Sequence, residues 1–301
     1  MLNKLISFFS WNVRGLGHAS RCDDVLTELI ASRPTFACLQ ETKLSQVTLM
    51  KMKTFLPVRL STFSTRPSAG SSGGILTMWD AKVCSVTHTI GHVFSLTIGF
   101  CLDADGTFLN LTNVYAPTVS SEKSTFLSEL AEVANSIAGP WIIIGDFNLI
   151  RSAADKNTDA FNSSEADLFN SFINDLAILE LPLVDRDYTW SNHREVPTLV
   201  CLDRCFVNTE WDAAFPNNTL SSRTRFASDH VPLLMTADTR IPRSSCFRFE
   251  NSWLQHPSFT SMVSTLLSQP PSDTDSHTFT QCLKKCRRAL HVSCGHAVWG
   301  H

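Results

Sequence analysis

The chain lacks a surplus of positive charge. Its 301 residues carry 25 Lys and Arg against 28 Asp and Glu, a net charge of −3 with a pI near 6.3. A bulk electrostatic grip on nucleic acid is therefore excluded, and any such partner must be held by a local patch or through a metal. No run of 18 or more apolar residues is present, so no helical membrane span is expected. The apolar opening residues are interrupted by Asn12 and Arg14, too early for a signal peptide with its cleavage site. The ten Cys lack the short, regular spacing of a small disulfide scaffold, and reduced thiols in a nuclear or cytoplasmic, non-secreted protein are expected. The three Asn-x-Ser/Thr sequons then carry no meaning. No internal repeat is visible. An apolar share of 43% with zero mean hydropathy describes a globular chain with a sizeable core.

The most informative stretch is Trp141-Ile142-Ile143-Ile144-Gly145-Asp146-Phe147-Asn148. A short unbroken apolar run stopped by Gly reads as a strand buried on both faces. It delivers a carboxylate, Asp146, and an amide, Asn148, two positions apart at its carboxyl end, which suits a phosphate or metal site or a plain capped turn. Further strands are expected at 6–13, 36–39, 74–79, 83–88, 95–101, 108–115, 188–190, 201–207 and 231–236. Helical spacing marks 21–31, 45–55, 121–137 and 165–179. Residues 61–74 read as a Ser/Gly/Pro loop, and Asp105-Gly106 as a hairpin turn. The mixed order predicts an α/β (α+β) fold: a four-layer α/β/β/α sandwich of two mixed β-sheets flanked by helices. Composition changes after residue 240, which places a boundary between a domain at 1–240 and a tail at 241–301.

Polar residues recur at strand ends: Asn12, Glu41, Tyr115, Asp146, Asn148, Thr189, Asp203, Asp229 and His230. Active sites of sheet-based folds gather there. Taken singly, Glu41 also reads as a first-turn acid, Tyr115 and His230 as core, and Asp203 beside Arg204 as an ion pair.

Together, "SWNVRGLG", "CLQETKL", "NVYAP", "IIIGDFNLI", "YTWSN", "LDRCFV" and "SDHVPLL" resemble, in order and spacing, the endonuclease/exonuclease/phosphatase superfamily over residues 6–237. "GGILTMWD", "GDFNLIRSAADKN", "LPLVDRDYTWSN" and "LDRCFVNTEW" resemble the endonuclease domain of plant LINE-type (non-LTR) retrotransposons. "CFRFENSWLQHPSF" resembles the segment that leads from that domain into a reverse transcriptase. The tail is too short to be a reverse transcriptase, which reads as a truncated element.

The resemblance implies a Mg²⁺-dependent (or Mn²⁺-dependent) endonuclease that nicks double-stranded DNA and leaves a 3′-OH primer for reverse transcription. It implies Glu41 as the first metal ligand, with Asp229 and Asn12 beside it. Asp146 would orient or deprotonate the attacking water, with Asn148 and Asn12 fixing water and phosphate. His230 would meet a non-bridging oxygen and Asp203 would hold its ring, because adjacent Asp229 points to the other face of an extended chain. Tyr115 would bond the scissile phosphate. DNA contacts are expected from Arg14, Lys43, Arg151, Lys156, Thr189, Arg204, Arg223 and Arg225. Arg14 replaces the acid that the DNA-repair branch carries after "WNV", which leaves one carboxylate fewer and favours one metal. A phosphatase or phosphodiesterase of the same superfamily would use a similar core set, and a catalytically silent remnant is the third reading. In the tail, Cys282, Cys286, His291, Cys294 and His296 read either as zinc ligands or as one face of a helix.

Overall fold

A computed structural model describes residues 5–68, 73–224, 228–239 and 264. All but Ser264 belong to the compact unit Met1–Ile241. Ser264 apart, the expected linker-like tail, with its Cys/His cluster, lies outside the described residues, as does Arg225.

In chain order the strands are β1 (Leu5–Asn12), β2 (Phe36–Gln40), β3 (Thr62–Arg66), β4 (Ile75–Trp79), β5 (Cys84–Gly91), β6 (Ser95–Leu102), β7 (Phe108–Tyr115), β8 (Trp141–Asp146), β9 (Leu179–Glu180), β10 (Trp190–Ser191), β11 (Leu199–Val200), β12 (Asp203–Val207), β13 (Asn217–Ser222) and β14 (Leu233–Asp238). The helices are α1 (Ala19–Ser32), α2 (Leu49–Met52), α3 (Lys123–Ser136), α4 (Ser163–Asp175) and α5 (Thr209–Ala214). Two six-stranded sheets form, in the orders β13-β14-β1-β2-β4-β3 and β5-β6-β7-β8-β12-β9. Each is mixed: β1 with β2 and β7 with β8 are parallel, and their other pairings antiparallel.

The inner faces share one core, in which Phe8 and Phe36 stack at 4.8 Å and meet Phe100 and Ile144 from the opposite sheet. Val25 and Leu29 of α1 pack on the outer face of the first sheet, with Trp11 and Leu39. Phe126 and Leu130 of α3 and Phe169 of α4 pack on the second, with Ile143 and Phe147. This is the expected four-layer arrangement, driven by burial of one stripe per helix and both faces per sheet.

Amides also bridge the sheets inside the core. Gln40 Nε2 donates to Asn113 Oδ1 at 2.7 Å and to Ser10 Oγ at 3.1 Å. Asn113 Nδ2 donates onward to Leu76 O and Thr77 Oγ1, both at 3.1 Å.

Local departures from the sequence reading have physical causes. The expected loop over 61–74 contains β3, whose half-buried Thr62-Phe63-Ser64-Thr65-Arg66 pairs only with β4 at the sheet edge. The expected helix over 45–55 is one turn, Leu49–Met52, because Thr48 caps it and Pro57 follows. The edge strand β13 and the short helix α5 were not expected. Asp105-Gly106 does turn β6 into β7, with Gly106 at φ +73°.

Candidate active site

The topology gathers the polar strand ends at one edge. β1 runs parallel to β2, so Asn12 pairs in register with Gln40 and Glu41 follows directly. β7 runs parallel to β8, which sets Tyr115 beside Asp146. β12 and β14 run antiparallel to β8 and β1. Asp203 therefore faces Asp146, and 228–230 arrive at the carboxyl end of β1.

The first sheet contributes Asn12, Glu41, Asp229 and His230, and the second contributes Tyr115, Asp146, Asn148 and Asp203. Asn12 joins the two: its Nδ2 donates to Asp146 Oδ2 at 2.8 Å and to Glu41 Oε2 at 3.3 Å. Asn148 Nδ2 donates to Asp146 Oδ2 at 3.2 Å and its backbone N–H to Oδ1 at 3.1 Å. His230 Nδ1 lies 2.9 Å from Asp203 Oδ2, and its Nε2 lies 3.8 Å from Asp146 Oδ2. Asp146, Asp203 and His230 are all buried, and their ligand atoms lie within 4.8 Å of one another, a grouping able to hold a metal ion.

Glu41 and Asp229 form a second carboxylate group. Glu41 accepts from Arg14 Nη1 at 3.1 Å and pairs with Lys43 Nζ 3.1 Å away, with the Tyr115 hydroxyl as a neighbour. Asp229 Oδ2 accepts from Trp190 Nε1 at 2.9 Å. Its Oδ1 is buried and makes no hydrogen bond; the Arg14 Nε 3.2 Å away is an ion-pair neighbour in poor bonding geometry. An orphaned buried carboxylate oxygen beside a second acid is a hard-oxygen donor pair, which fits a Mg²⁺-type ion; the neighbouring Asn12 turns its Nδ2 to Glu41 while its Oδ1 accepts from Arg14 N.

Four of these residues hold backbone angles that L-amino acids rarely adopt: Arg14 (φ +53°), Glu41 (+51°), Lys43 (+55°) and Asn148 (+47°). Such conformations each cost about 1–3 kcal/mol and concentrate where side chains must be aimed against local preference. Gly145 explains its own place in the motif. Its φ is +147°, and an added Cβ would lie 2.1 Å from the Val114 carbonyl oxygen.

The electrostatics divide the acids. Burial raises the Asp146 carboxyl, and despite opposition from His230 it reaches about 7. Burial lowers His230, but Asp203 and Asp146 outweigh it and bring the imidazole up to about 9. Burial also raises Glu41, where Lys43 and Arg14 prevail and hold the carboxyl below its ordinary value. Burial and the nearby Glu41 charge push the Tyr115 hydroxyl upward. The site thus holds one carboxyl poised near neutrality, one held ionised, and an imidazolium.

Other expected residues lie elsewhere. The Arg204 side chain is 3% exposed and is bound to Asp155 at 2.6 Å and to Glu180, so the expected DNA contact is an internal ion pair. Arg151 pairs with Glu180 at 2.6 Å and Arg223 with Glu28 at 2.8 Å. Lys156 is half-buried and donates to Ala160 O at 2.9 Å. Thr189 is fully buried, and its hydroxyl accepts from the backbone N–H of Leu202 and Asp203, both at 3.0 Å; it sets the angle of Asp203 and touches no surface.

Two supports were missed. Trp190 holds Asp229, and Ser228 accepts from His230 N at 3.2 Å while donating to Asn12 O at 2.8 Å. Both stand in the motifs "YTWSN" and "SDHVPLL"; adjacency to Asp229 was the available signal for Ser228, and membership of its motif was the signal for Trp190.

Two facing mixed sheets with these acids, amides and His at one edge have the architecture of the nuclease–phosphatase fold. The chain belongs to the endonuclease/exonuclease/phosphatase family, whose model matches residues 9–230. A curated relative is the transposon TX1 uncharacterized 149 kDa protein of Xenopus laevis, 25% identical over 207 residues, which are 64% of this chain and 15% of that protein. The chain thus spans about 15% of the length of that relative. Among solved structures, the AP endonuclease LMAP of Leishmania major superposes with a TM-score of 0.62 at 18% identity, covering 78% of this chain and 88% of that one. The endonuclease domain of TRAS1, a telomere-specific non-LTR retrotransposon, superposes with a TM-score of 0.57 at 13% identity, covering 80% of this chain and 100% of that domain.

Proposed function

We propose that this chain is the endonuclease of a non-LTR retrotransposon, nicking double-stranded target DNA by phosphodiester hydrolysis and leaving a 3′-OH for reverse transcription. The observation that carries the reading is the joining of two units through Asn12: an Asp203–His230–Asp146 unit and a Glu41–Asp229 unit. The transposon and retrotransposon relatives supply the biological setting. The plant branch rests on the motifs quoted above. So does the reading of residues 241–301 as the start of the segment before a reverse transcriptase. Such a protein works on chromosomal DNA, hence in the nucleus after synthesis in the cytoplasm.

Asp146 accepts the proton of the attacking water, since a base is most effective with a pKa near the working pH. Asn12 and Asn148 fix its oxygens. His230, held as imidazolium by Asp203, donates to a non-bridging phosphate oxygen and offsets the charge that builds there. Tyr115 donates to the same phosphate. Glu41 and Asp229, with the Asn12 amide alongside, would hold a Mg²⁺ or Mn²⁺ ion, which when bound supplies Lewis-acid stabilisation of the phosphate and leaving oxygen. The His230 cluster suits that ion less well, because a ligating imidazole must give up the proton that its two carboxylate neighbours retain. Arg14 and Lys43 stand at the mouth of the site, 46% and 39% exposed, and are the nearest cations for a DNA backbone.

A cavity of about 270 Å³ beside Tyr115, lined by Val93, Phe94 and Val119, favours as second reading a phosphatase or phosphodiesterase of small esters. The test is nicking of supercoiled plasmid with Mg²⁺, against EDTA and His230→Ala. Groups of these kinds each contribute about a hundredfold or more, so the variant should be nearly silent. Folded protein that never nicks but releases phosphate from small esters would replace the first reading with the second. Folded protein without either activity would leave an inert remnant.

A further inference from the structure

Among the described residues, Arg14 is the one side chain that reaches both acids of the Glu41–Asp229 group. Its Nη1 lies 3.1 Å from Glu41 Oε2, and its Nε lies 3.2 Å from Asp229 Oδ1. Lys43 Nζ takes the other Glu41 oxygen at 3.1 Å. Two carboxylates and two cations make a neutral cluster. Adding a divalent ion to it would leave two uncompensated positive charges in a partly buried place, which is unfavourable where screening is weak. The Asp229 oxygen facing Arg14 remains without a hydrogen bond. The guanidinium therefore balances the charge of that oxygen without satisfying it.

We propose that Arg14 is a built-in competitor for the metal: the guanidinium and a divalent ion share the Glu41 and Asp229 carboxylates, and loading the ion requires Arg14 to let go. This rests on the reading of Glu41 and Asp229 as metal ligands. The released guanidinium, 46% exposed at the mouth of the site, is then free for a phosphate, to which it binds with a two-pronged geometry that carboxylates and phosphates both match. Metal and DNA backbone thus support one another through one side chain. The metal detaches Arg14 from the acids, and the phosphate keeps it detached.

The experiment is titration of the full chain with Mn²⁺ alone, read by electron paramagnetic resonance of the free ion, for wild type, Arg14→Ala, Arg14→Gln and Glu41→Gln. Losing two partly exposed ion pairs should tighten Mn²⁺ binding by Arg14→Ala roughly tenfold. Arg14→Gln, which drops the charge and keeps a polar side chain, should follow it and guards against a folding defect in the alanine variant. Melting in EDTA adds a second readout: Arg14→Ala should melt below wild type, and Mn²⁺ should raise its Tm by more than it raises that of wild type. Equal or weaker Mn²⁺ binding by both Arg14 variants refutes the competition while leaving the metal site standing. Mn²⁺ affinity unchanged in Glu41→Gln overturns the metal-ligand reading itself, and the competition with it.

Discussion

Gly145→Ala tests how the active edge is held. Gly145 pairs with Val114 across the parallel β7–β8 ladder, one residue before Tyr115 and Asp146. A Cβ there would sit 2.1 Å from Val114 O and 3.0 Å from both Val114 C and Cγ2. Real Cβ contacts begin near 3.0 Å, so the carbonyl must retreat by about 0.9 Å, and it is backbone with no rotamer to change. Overpacking of this kind costs about 1–3 kcal/mol. The φ of +147° adds about 1–3 kcal/mol for a residue with a side chain. The sum, about 2–6 kcal/mol, is a large share of the 5–15 kcal/mol typical of a domain. Urea unfolding followed by circular dichroism should show a lowered midpoint, and the Tyr115–Asp146 pair should be displaced enough to remove plasmid nicking. Gly17→Ala is the control, since nothing lies within 4 Å of its would-be Cβ. A Gly145→Ala protein with the wild-type urea midpoint would refute the reasoning, for it would mean the ladder opens freely where the contact forbids it.

Four other outcomes follow from the structure. His230, raised to about 9, should be doubly protonated at pH 7.5 by ¹⁵N NMR of EDTA-treated protein; its charge should stabilise the fold fully below its unfolded value of about 6.5, with that contribution lost as pH rises through about 9. In Asp203→Asn the titration should move down by about one to three pH units, and nicking should fall by about two to four orders of magnitude. Arg204→Ala should cost about 3–5 kcal/mol in urea unfolding, because it strands Asp155 and Glu180, while the salt dependence of DNA binding by the folded fraction stays as in wild type. Ala177→Gly, at an exposed position with φ +49°, should raise stability by about 0.5–1 kcal/mol in a thermal melt, with nicking unchanged.

The sandwich was legible where burial imposes a period. β8 opens on four unbroken large apolar residues and α3 repeats at helical spacing, so both stood out. β3 and β13 sit at sheet edges with one partner each, and half-buried Thr, Ser and Asn there look like loop. The candidate site was legible because its residues end strands, and parallel pairs bring strand ends together. The charges were not. Whether Arg204 faces DNA or Asp155 depends on a partner 49 residues away, and no local pattern encodes that. The left-handed angles of Glu41 and Lys43 were invisible for a related reason: tertiary contacts enforce them against the preference of each residue.

The amides between the sheets have a mechanical meaning. Oil-like contact between two flat faces resists separation but scarcely resists sliding, since one apolar neighbour serves nearly as well as another. Gln40 and Asn113 change that, because their donors meet acceptors at fixed positions on the opposite sheet, and a slip of one residue, about 3.3 Å, would strand them in a dry interior. They act as a dowel. The cleft in which Asn12 of one sheet meets Asp146 of the other inherits its width from a pin set behind it, so wear at Gln40 would be felt as lost alignment in a site whose own residues were all intact.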